Sequence, residues 1–359
     1  MQGETRTSKV REEDSIDLDA LTRWMADQEI AYVTPLAARQ FRGGASNLTY
    51  LISDSQANSW VLRTPPHGAK IASAHDMGRE ARVLTALSAK LDHVPSVVGY
   101  CGDESYIGRE FYLMEFIDGH IMVTDIPSEM CETPEQTRAM CEAMVDALAQ
   151  LHNVDLVDVG LVDLDRGPGY VARQVGGWSK RYRAARTPDV PEAEDVMQWL
   201  DAHQPPDVAH VLIHGDWRFD NLVMSPKAEI AGILDWEMST VGDPCMDLGS
   251  ALAYWVQADD SPEFRSLRMQ PTDAPGMLTR SEVVERYSQS MSVEVRDSLS
   301  ANWLFYEVFG LFRLAVIVQQ IWARYQAGTT TNPQFAGFGS ATNMLINRAQ
   351  SLLAQPSSE

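Results

Sequence analysis

His214-Gly215-Asp216-Trp217-Arg218-Phe219-Asp220-Asn221, followed on the next apolar segment by Ile233-Leu234-Asp235-Trp236-Glu237, is the stretch that decides how this chain is read. Short apolar runs surround it: Val211-Leu212-Ile213 leads in, Asn221-Leu222-Val223-Met224 follows, and Ile230 to Trp236 comes after a turn at Ser225-Pro226-Lys227. Runs of this length bounded by turn residues read as buried strands. Hairpin-like strands then put Asp216 on a loop, Asn221 on the strand it leads into and Asp235 at the end of the next. That arrangement suits phosphoryl transfer. An acid such as Asp216 orients a hydroxyl and takes its proton, while Asn221 and Asp235 hold the magnesium ions that neutralise charge between nucleotide phosphates. Singly, a loop Asp or Asn caps a helix or faces solvent. In this order and spacing they read as one site.

On these residues the chain resembles the aminoglycoside phosphotransferase and choline kinase group of kinase-like small-molecule phosphotransferases. It is especially similar to the phosphotransferase domains related to those fused to some acyl-CoA dehydrogenases. The resemblance runs from about Ala37 to Tyr325. It makes HGDxxxxN the catalytic loop, with Asp216 catalytic and His214 supporting it, and gives Asp235 the place of the first residue of the protein-kinase DFG. It implies an α+β, two-lobed protein-kinase-like fold with nucleotide held between the lobes. The small antiparallel-sheet lobe is expected over residues 19–117, and the larger, mostly helical lobe with the catalytic hairpins over 118–359. The polar, charged residues 1–18 are expected to form a mobile tail, with no apolar stretch to serve as a signal peptide.

Upstream, Phe41 and Arg42 lead into Gly43-Gly44-Ala45-Ser46, then Leu48 to Ile52, a polar turn, and Trp60-Val61-Leu62-Arg63. This reads as strand, glycine turn, strand, turn, strand. Adjacent glycines let backbone N–H groups approach phosphate oxygens, although a Gly-Gly pair alone is more often a plain turn. The resemblance lays this loop over the nucleotide. Met77, Ala81, Leu84, Leu87 and Leu91 recur at helical spacing with Glu80 among them. Kinase-like folds pair a strand cation with a helix glutamate, the cation also touching phosphates. Arg63 stands where the family usually has lysine, with Glu80 as its partner; the bland alternative is an exposed arginine and an ordinary surface acid. Phe111 to Phe116 reads as a buried strand, and the resemblance makes the backbone of Glu115, Phe116 and Ile117 the adenine-binding connector.

Thr133-Pro134-Glu135-Gln136 is a helix start, with threonine as N-cap and glutamine placed to close a capping box. Cys141, Met144, Val145, Leu148 and Leu151 form its buried face, and His152 at its end reads as a capping residue. Between Asp165 and Asp189 there is no acid, yet Arg166, Arg173, Lys180, Arg181, Arg183 and Arg186 occur with Trp178 and Tyr182 among them. This is either a solvated basic helix face or a docking patch for an anionic substrate. Asp247 is placed to cap a helix and brace the catalytic loop, and Asp220 to stabilise its turn. Asp259 to Thr279, rich in Pro and Asp, reads as loop, and Asn343 to Leu353 as a last helix.

Length and charge bound what remains. A chain of 359 residues holds a sizeable core in two lobes or domains. A net charge of −21 argues against general binding to nucleic acid or anionic membrane. Cysteines 101, 131, 141 and 245 form no CxxC pair, so neither a disulfide framework nor a zinc knuckle is expected, and a reduced cytoplasm fits best. Trp303 to Tyr325 is the most apolar segment, but its charge-free part is too short to span a bilayer and reads as a buried helix.

The implied cofactors are ATP or GTP and Mg²⁺, and the implied partner is a small-molecule hydroxyl. A dinuclear hydrolase would need further histidines, and none follows His214. A kinase-like module that binds nucleotide without turnover is the other rival, favoured only by Arg63. Overall acidity points weakly to a cationic acceptor. The basic stretch and the dehydrogenase-fused relatives point to an anionic or CoA-linked hydroxy compound.

Overall fold

The computed structural model describes residues 6–41, 47–66 and 76–355. In chain order, the first half contains β1 (Thr7–Ser8), α1 (Leu18–Asp27), β2 (Ala37–Phe41), β3 (Leu48–Ser53), β4 (Ser59–Thr64), α2 (Met77–Ser88), β5 (Val97–Cys101), β6 (Phe111–Glu115) and α3 (Pro134–His152). Then come α4 (Tyr170–Ala185), α5 (Glu194–Ala202), β7 (Val211–Ile213), β8 (Leu222–Met224), β9 (Ile230–Ile233) and β10 (Thr240–Gly242). Helices α6 (Pro244–Leu252), α7 (Pro262–Arg265), α8 (Arg280–Gln289), α9 (Val293–Gln326) and α10 (Phe338–Leu353) follow. The chain divides into two compact units: Met1–Ile121 with Val159–Leu161 and Asn221–Ser239, and Met122–Asp158 with Val162–Asp220 and Thr240–Glu359.

In the first unit, among the described residues, an antiparallel six-stranded sheet runs β1-β2-β3-β4-β6-β5. Tyr50, Ile52, Leu62, Phe111 and Leu113 turn one face inward onto Leu21, Trp24 and Met25 of α1. The Trp24 and Phe111 rings meet edge-on at 4.7 Å between centroids, a geometry favoured by the ring quadrupoles. Asp54 closes the turn between β3 and β4 by accepting from the amides of Val33, Gln56 and Asn58.

The expected tail over 1–18 is corrected for its described part. Thr7 pairs with Phe41 and Ser8 with Gln40, Asp14 is buried, and its carbonyl accepts from the Tyr50 hydroxyl at 2.7 Å. The physical reason is an open strand edge: β2 offers unpaired amides and carbonyls, and β1 covers them.

The expected boundary at residue 117 also changes. The hairpin β8–β9 belongs to the first unit, because Met224 exchanges backbone bonds with His120 and the Ile233 amide donates to the His93 carbonyl. Glycine permits this approach. A Cβ at Gly119 would lie 2.6 Å from the Met224 carbonyl oxygen, and one at Gly232 2.7 Å from Ile117.

The second unit is helical apart from the short pair β7–β10. The capping box at Thr133 and Gln136 forms as its sequence predicts, and the expected apolar face of α3 is buried. Helix α7 interrupts the segment expected to be loop. Helix α9 is long and apolar enough to cross a membrane, but 72% of its most apolar window is buried within the protein. It packs against α6 at a glycine pair, where a Cβ on Gly310 would sit 2.1 Å from the Gly249 carbonyl oxygen. Gly310→Ala is therefore expected to force the helices apart and lower stability by about 1–3 kcal/mol, the usual cost of overpacking; urea denaturation measures it, and an unchanged midpoint would refute the close contact.

Candidate active site

Half of the motif residues gather in the first unit. Pairing of Leu222 with Ile233 and a 2.8 Å bond from the Leu234 amide to the Asn221 carbonyl set Asn221 beside Asp235 at one end of the hairpin. Past it, the backbone tightens into a 3-10 turn at Trp236–Met238. The Trp236 indole donates to the Ile233 carbonyl, the Ser239 hydroxyl to that of Trp236, and Arg79 of α2 to those of Glu237 and Ser239. This bracing holds Asp235 at φ 63°, ψ 65°, a left-handed conformation that costs a non-glycine residue about 1–3 kcal/mol. Strain held in place by neighbours is common where a side chain must be aimed.

Arg63 of β4 is the centre of this half. Its guanidinium lies 3.1 Å from Glu80 Oε1, 3.1 Å from Asp235 Oδ1 and 3.4 Å from Glu237 Oε2. Arg63 and Glu80 are both buried, so the alternative of an exposed arginine and a surface acid is set aside. Burial disfavours the Arg63 charge, but Glu80, with Tyr112, Asp235 and Glu237, holds its pKa well above the usual value. Burial pushes the Glu80 carboxyl upward against the pull of Arg63. The planar fork presents its donors to these carboxylates in a fixed geometry, where a lysine would offer a single flexible ammonium. Glu237 also accepts from the Asn47 side chain at 2.9 Å.

The other half lies in the second unit. Gly215 adopts φ 80°, which explains the glycine between His214 and Asp216. The amides of His214 and Gly215 donate to Asp247 Oδ2 and Oδ1, each at 3.0 Å, and Arg313 donates to the Gly215 carbonyl at 2.6 Å. His214 Nδ1 accepts from the Asp216 amide at 3.3 Å, which places the ring proton of a neutral imidazole on Nε2. Arg218 lies 3.7 Å from Asp216 Oδ1 and pairs with Asp220. Asp216 itself keeps 24% of its side chain exposed, enough for a substrate to reach it.

Asp247 is the brace its sequence position suggests, whereas the cap of α6 is Asp243, which accepts from the amides of Cys245 and Met246. His152 is corrected. It is buried, with Nε2 3.2 Å from Asp247 and Nδ1 2.5 Å from the Tyr287 hydroxyl, and it caps nothing. Burial works against the Asp247 charge, yet the His152 hydrogen bond, with His214 and Arg313 nearby, holds its pKa below the usual value.

Gly43, Gly44, Ala45 and Ser46, expected to form the loop over the nucleotide, lie outside the described residues. In the connector, the Glu115 amide is committed to the Ser96 carbonyl at 2.9 Å, and Ile117 packs towards Gly232. That connector amide is therefore already satisfied within the sheet.

The basic stretch is largely paired on its own side. Arg173 holds the carbonyls of Gly167 and Pro168, Arg181 lies 4.5 Å over Trp178, Arg183 meets Glu194 at 2.7 Å and Arg186 meets Glu192 at 3.6 Å. Trp178 and Tyr182 are core residues, so the reading of an aromatic-laced anion patch is corrected.

Among the described residues no cluster of three or more His, Cys, Asp or Glu is placed to hold a metal. Backbone pairing nonetheless brings Asn221 and Asp235, two residues with hard oxygen donors, to the same hairpin end, and 35% of the Asp235 side chain is exposed. That set fits Mg²⁺, which is typically bound through one or two carboxylates plus substrate phosphates and water.

Comparison with known proteins agrees with this geometry. The sequence model of the phosphotransferase enzyme family matches residues 37–275. The chain belongs to that family. It is 37% identical to mouse acyl-CoA dehydrogenase family member 10, over 97% of this chain but 32% of that protein, so the chain spans about a third of this curated relative. A structure from Ralstonia eutropha, provisionally named an aminoglycoside phosphotransferase, is 29% identical with a TM-score of 0.77, covering 94% of this chain and 98% of that one. The GDP complex of aminoglycoside 2′-phosphotransferase-IIIa shares the fold at a TM-score of 0.58 and 15% identity, covering 95% and 99%. The architecture is kinase-like.

Proposed function

We propose that this protein moves the terminal phosphoryl group of ATP or GTP to a hydroxyl of a small molecule, with Mg²⁺ and with a hydroxyacyl-CoA or similar anionic compound as acceptor. The observation that carries the reading is the hairpin end where Asn221 and Asp235 stand together beside the buried cation Arg63. Asn221 and Asp235 would hold Mg²⁺ there, and the ion would supply charge neutralisation on the phosphates. Arg63 binds phosphate oxygens once nucleotide is present. Asp216 accepts the hydroxyl proton as the substrate oxygen forms its bond to phosphorus and the bond to the leaving diphosphate breaks. His214 and Asp247 hold the loop that aims Asp216. Positioning and fixed charge supply most of the rate. The acyl-CoA-type acceptor is supported by the likeness to the acyl-CoA dehydrogenase family member.

One contact favours a second reading. Both terminal nitrogens of Arg63 hold Asp235 Oδ1, as they would in a module that binds nucleotide without a metal. Asp235→Ala separates the two. For the enzyme, calorimetry should show nucleotide binding strengthened by Mg²⁺ in the native protein and not in the variant, with turnover lost. For the module, affinity is the same with and without Mg²⁺ in both proteins.

A further inference from the structure

Behind the catalytic loop, within the second unit, lies a cavity of 340 Å³, at the small end of ligand pockets, which run to roughly 300–1,000 Å³. Its walls come from the segment after α6, from α9 and from α10, with Val256, Phe264, Leu314, Phe338 and Met344 among them. Apart from Ser266, Arg268, Gln334 and the Tyr254 hydroxyl, the lining side chains are hydrocarbon or thioether, and no acid is among them. The one cation in the lining is neutralised: Arg268 donates to the Thr124 carbonyl and meets Asp125 and Asp273 at 3.1 and 3.2 Å. The cavity is thus built for neither an ammonium group nor a phosphate, since either would be desolvated there without a partner.

One wall residue, Tyr254, also touches the catalytic loop, and its neighbour Trp255 packs on it from outside the lining. The Arg218 guanidinium sits 4.7 Å over the Tyr254 ring and 3.7 Å from Asp216 Oδ1. Trp255 packs against Phe219, whose amide donates to Gln270 at 2.7 Å. One side of Tyr254 therefore faces the residues around Asp216, and the residue itself lines the cavity.

We infer that this cavity takes the alkyl tail of the acceptor, and that Ala341 of α10, a small residue in the lining, sets how long that tail can be. The inference rests on the phosphotransfer reading only in calling the ligand an acceptor. Each methylene buried should raise affinity about fourfold, from about 0.8 kcal/mol per methylene at about 1.4 kcal/mol per tenfold. Met344 adapts the wall to an unbranched chain, as a flexible thioether does.

Calorimetry with butanoyl-CoA and decanoyl-CoA, without nucleotide, tests this on the full chain and on Ala341→Phe. Native protein should bind the decanoyl probe at least tenfold more tightly. In the variant that advantage should disappear while butanoyl-CoA affinity and the thermal midpoint hold. Equal affinities for both probes in the native protein would overturn the inference whether or not the variant folds, as would an unchanged preference in a folded variant. ADP release with short-chain hydroxyacyl-CoA compounds keeps the two claims apart. Turnover without chain-length preference sinks the tail site and spares the phosphotransfer reading; chain-length preference with no turnover of any hydroxyacyl-CoA does the reverse.

Discussion

Asp216→Asn is expected to slow phosphoryl transfer about 10²–10⁴-fold, the usual worth of a positioned acid–base group, with nucleotide affinity changed by no more than a few-fold. The amide keeps the size of the carboxylate and the backbone bond to His214 Nδ1. It loses the charge that, in the proposed reaction, draws the hydroxyl proton, and the oxygen that would receive it. Because the proposed function assigns nucleotide and metal binding to Arg63, Asn221 and Asp235 in the first unit, binding should survive the change. Single-turnover kinetics beside nucleotide titration would show the split. A variant that retained native turnover would remove Asp216 from the reaction.

Asp247→Ala should have the largest effect on stability, a loss of about 3–5 kcal/mol, because it breaks a buried charged group out of its network. The carboxylate is 2% exposed and accepts from the His214 and Gly215 amides, with His152 on the same oxygen as His214. Alanine leaves two buried amides and an imidazole without that acceptor, and water has no easy path to them. The catalytic loop would then lose its anchor, so activity should fall along with the unfolding midpoint in urea. A cost under about 1 kcal/mol would mean that the loop is held elsewhere, since even one orphaned buried donor costs about that much.

Much of this site was legible in the sequence because its parts are local. HGDxxxxN and the later DWE lie on two short strands, and strand pairing sets Asn221 beside Asp235 whatever else the chain does. Spacing marked the helix that carries Glu80, but its pairing with Arg63 was legible only through the resemblance to kinase-like folds. Residues recruited from distant segments were harder to place. His152 ends a helix and looks like a cap, because nothing near it in sequence shows that Tyr287 and Asp247 close on it from α8 and α6. Arg313 lies in an apolar helix, and nothing near it in sequence shows that it holds the Gly215 carbonyl. Glu237 was visible two positions after Asp235, but its partners Asn47 and Arg63 come from two other strands' ends. The basic run from Arg166 to Arg186 left two readings open in the sequence. Composition singles it out, but only the fold shows Trp178 and Tyr182 in the core and Arg173, Arg181, Arg183 and Arg186 matched to local carbonyls, a ring and carboxylates. The tail was misjudged because charge was read as disorder, while an open strand edge and a buried acceptor for Tyr50 gave residues 7–14 a place to dock.

The most direct test is magnesium-dependent ADP release from ATP by the purified protein, across matched panels of cationic amino alcohols, aminoglycosides and hydroxyacyl-CoA compounds, with Asp216→Asn as control. The account predicts release that requires the hydroxyacyl-CoA panel and Mg²⁺ and that vanishes in the variant. Release no greater than the variant's on every panel would contradict it.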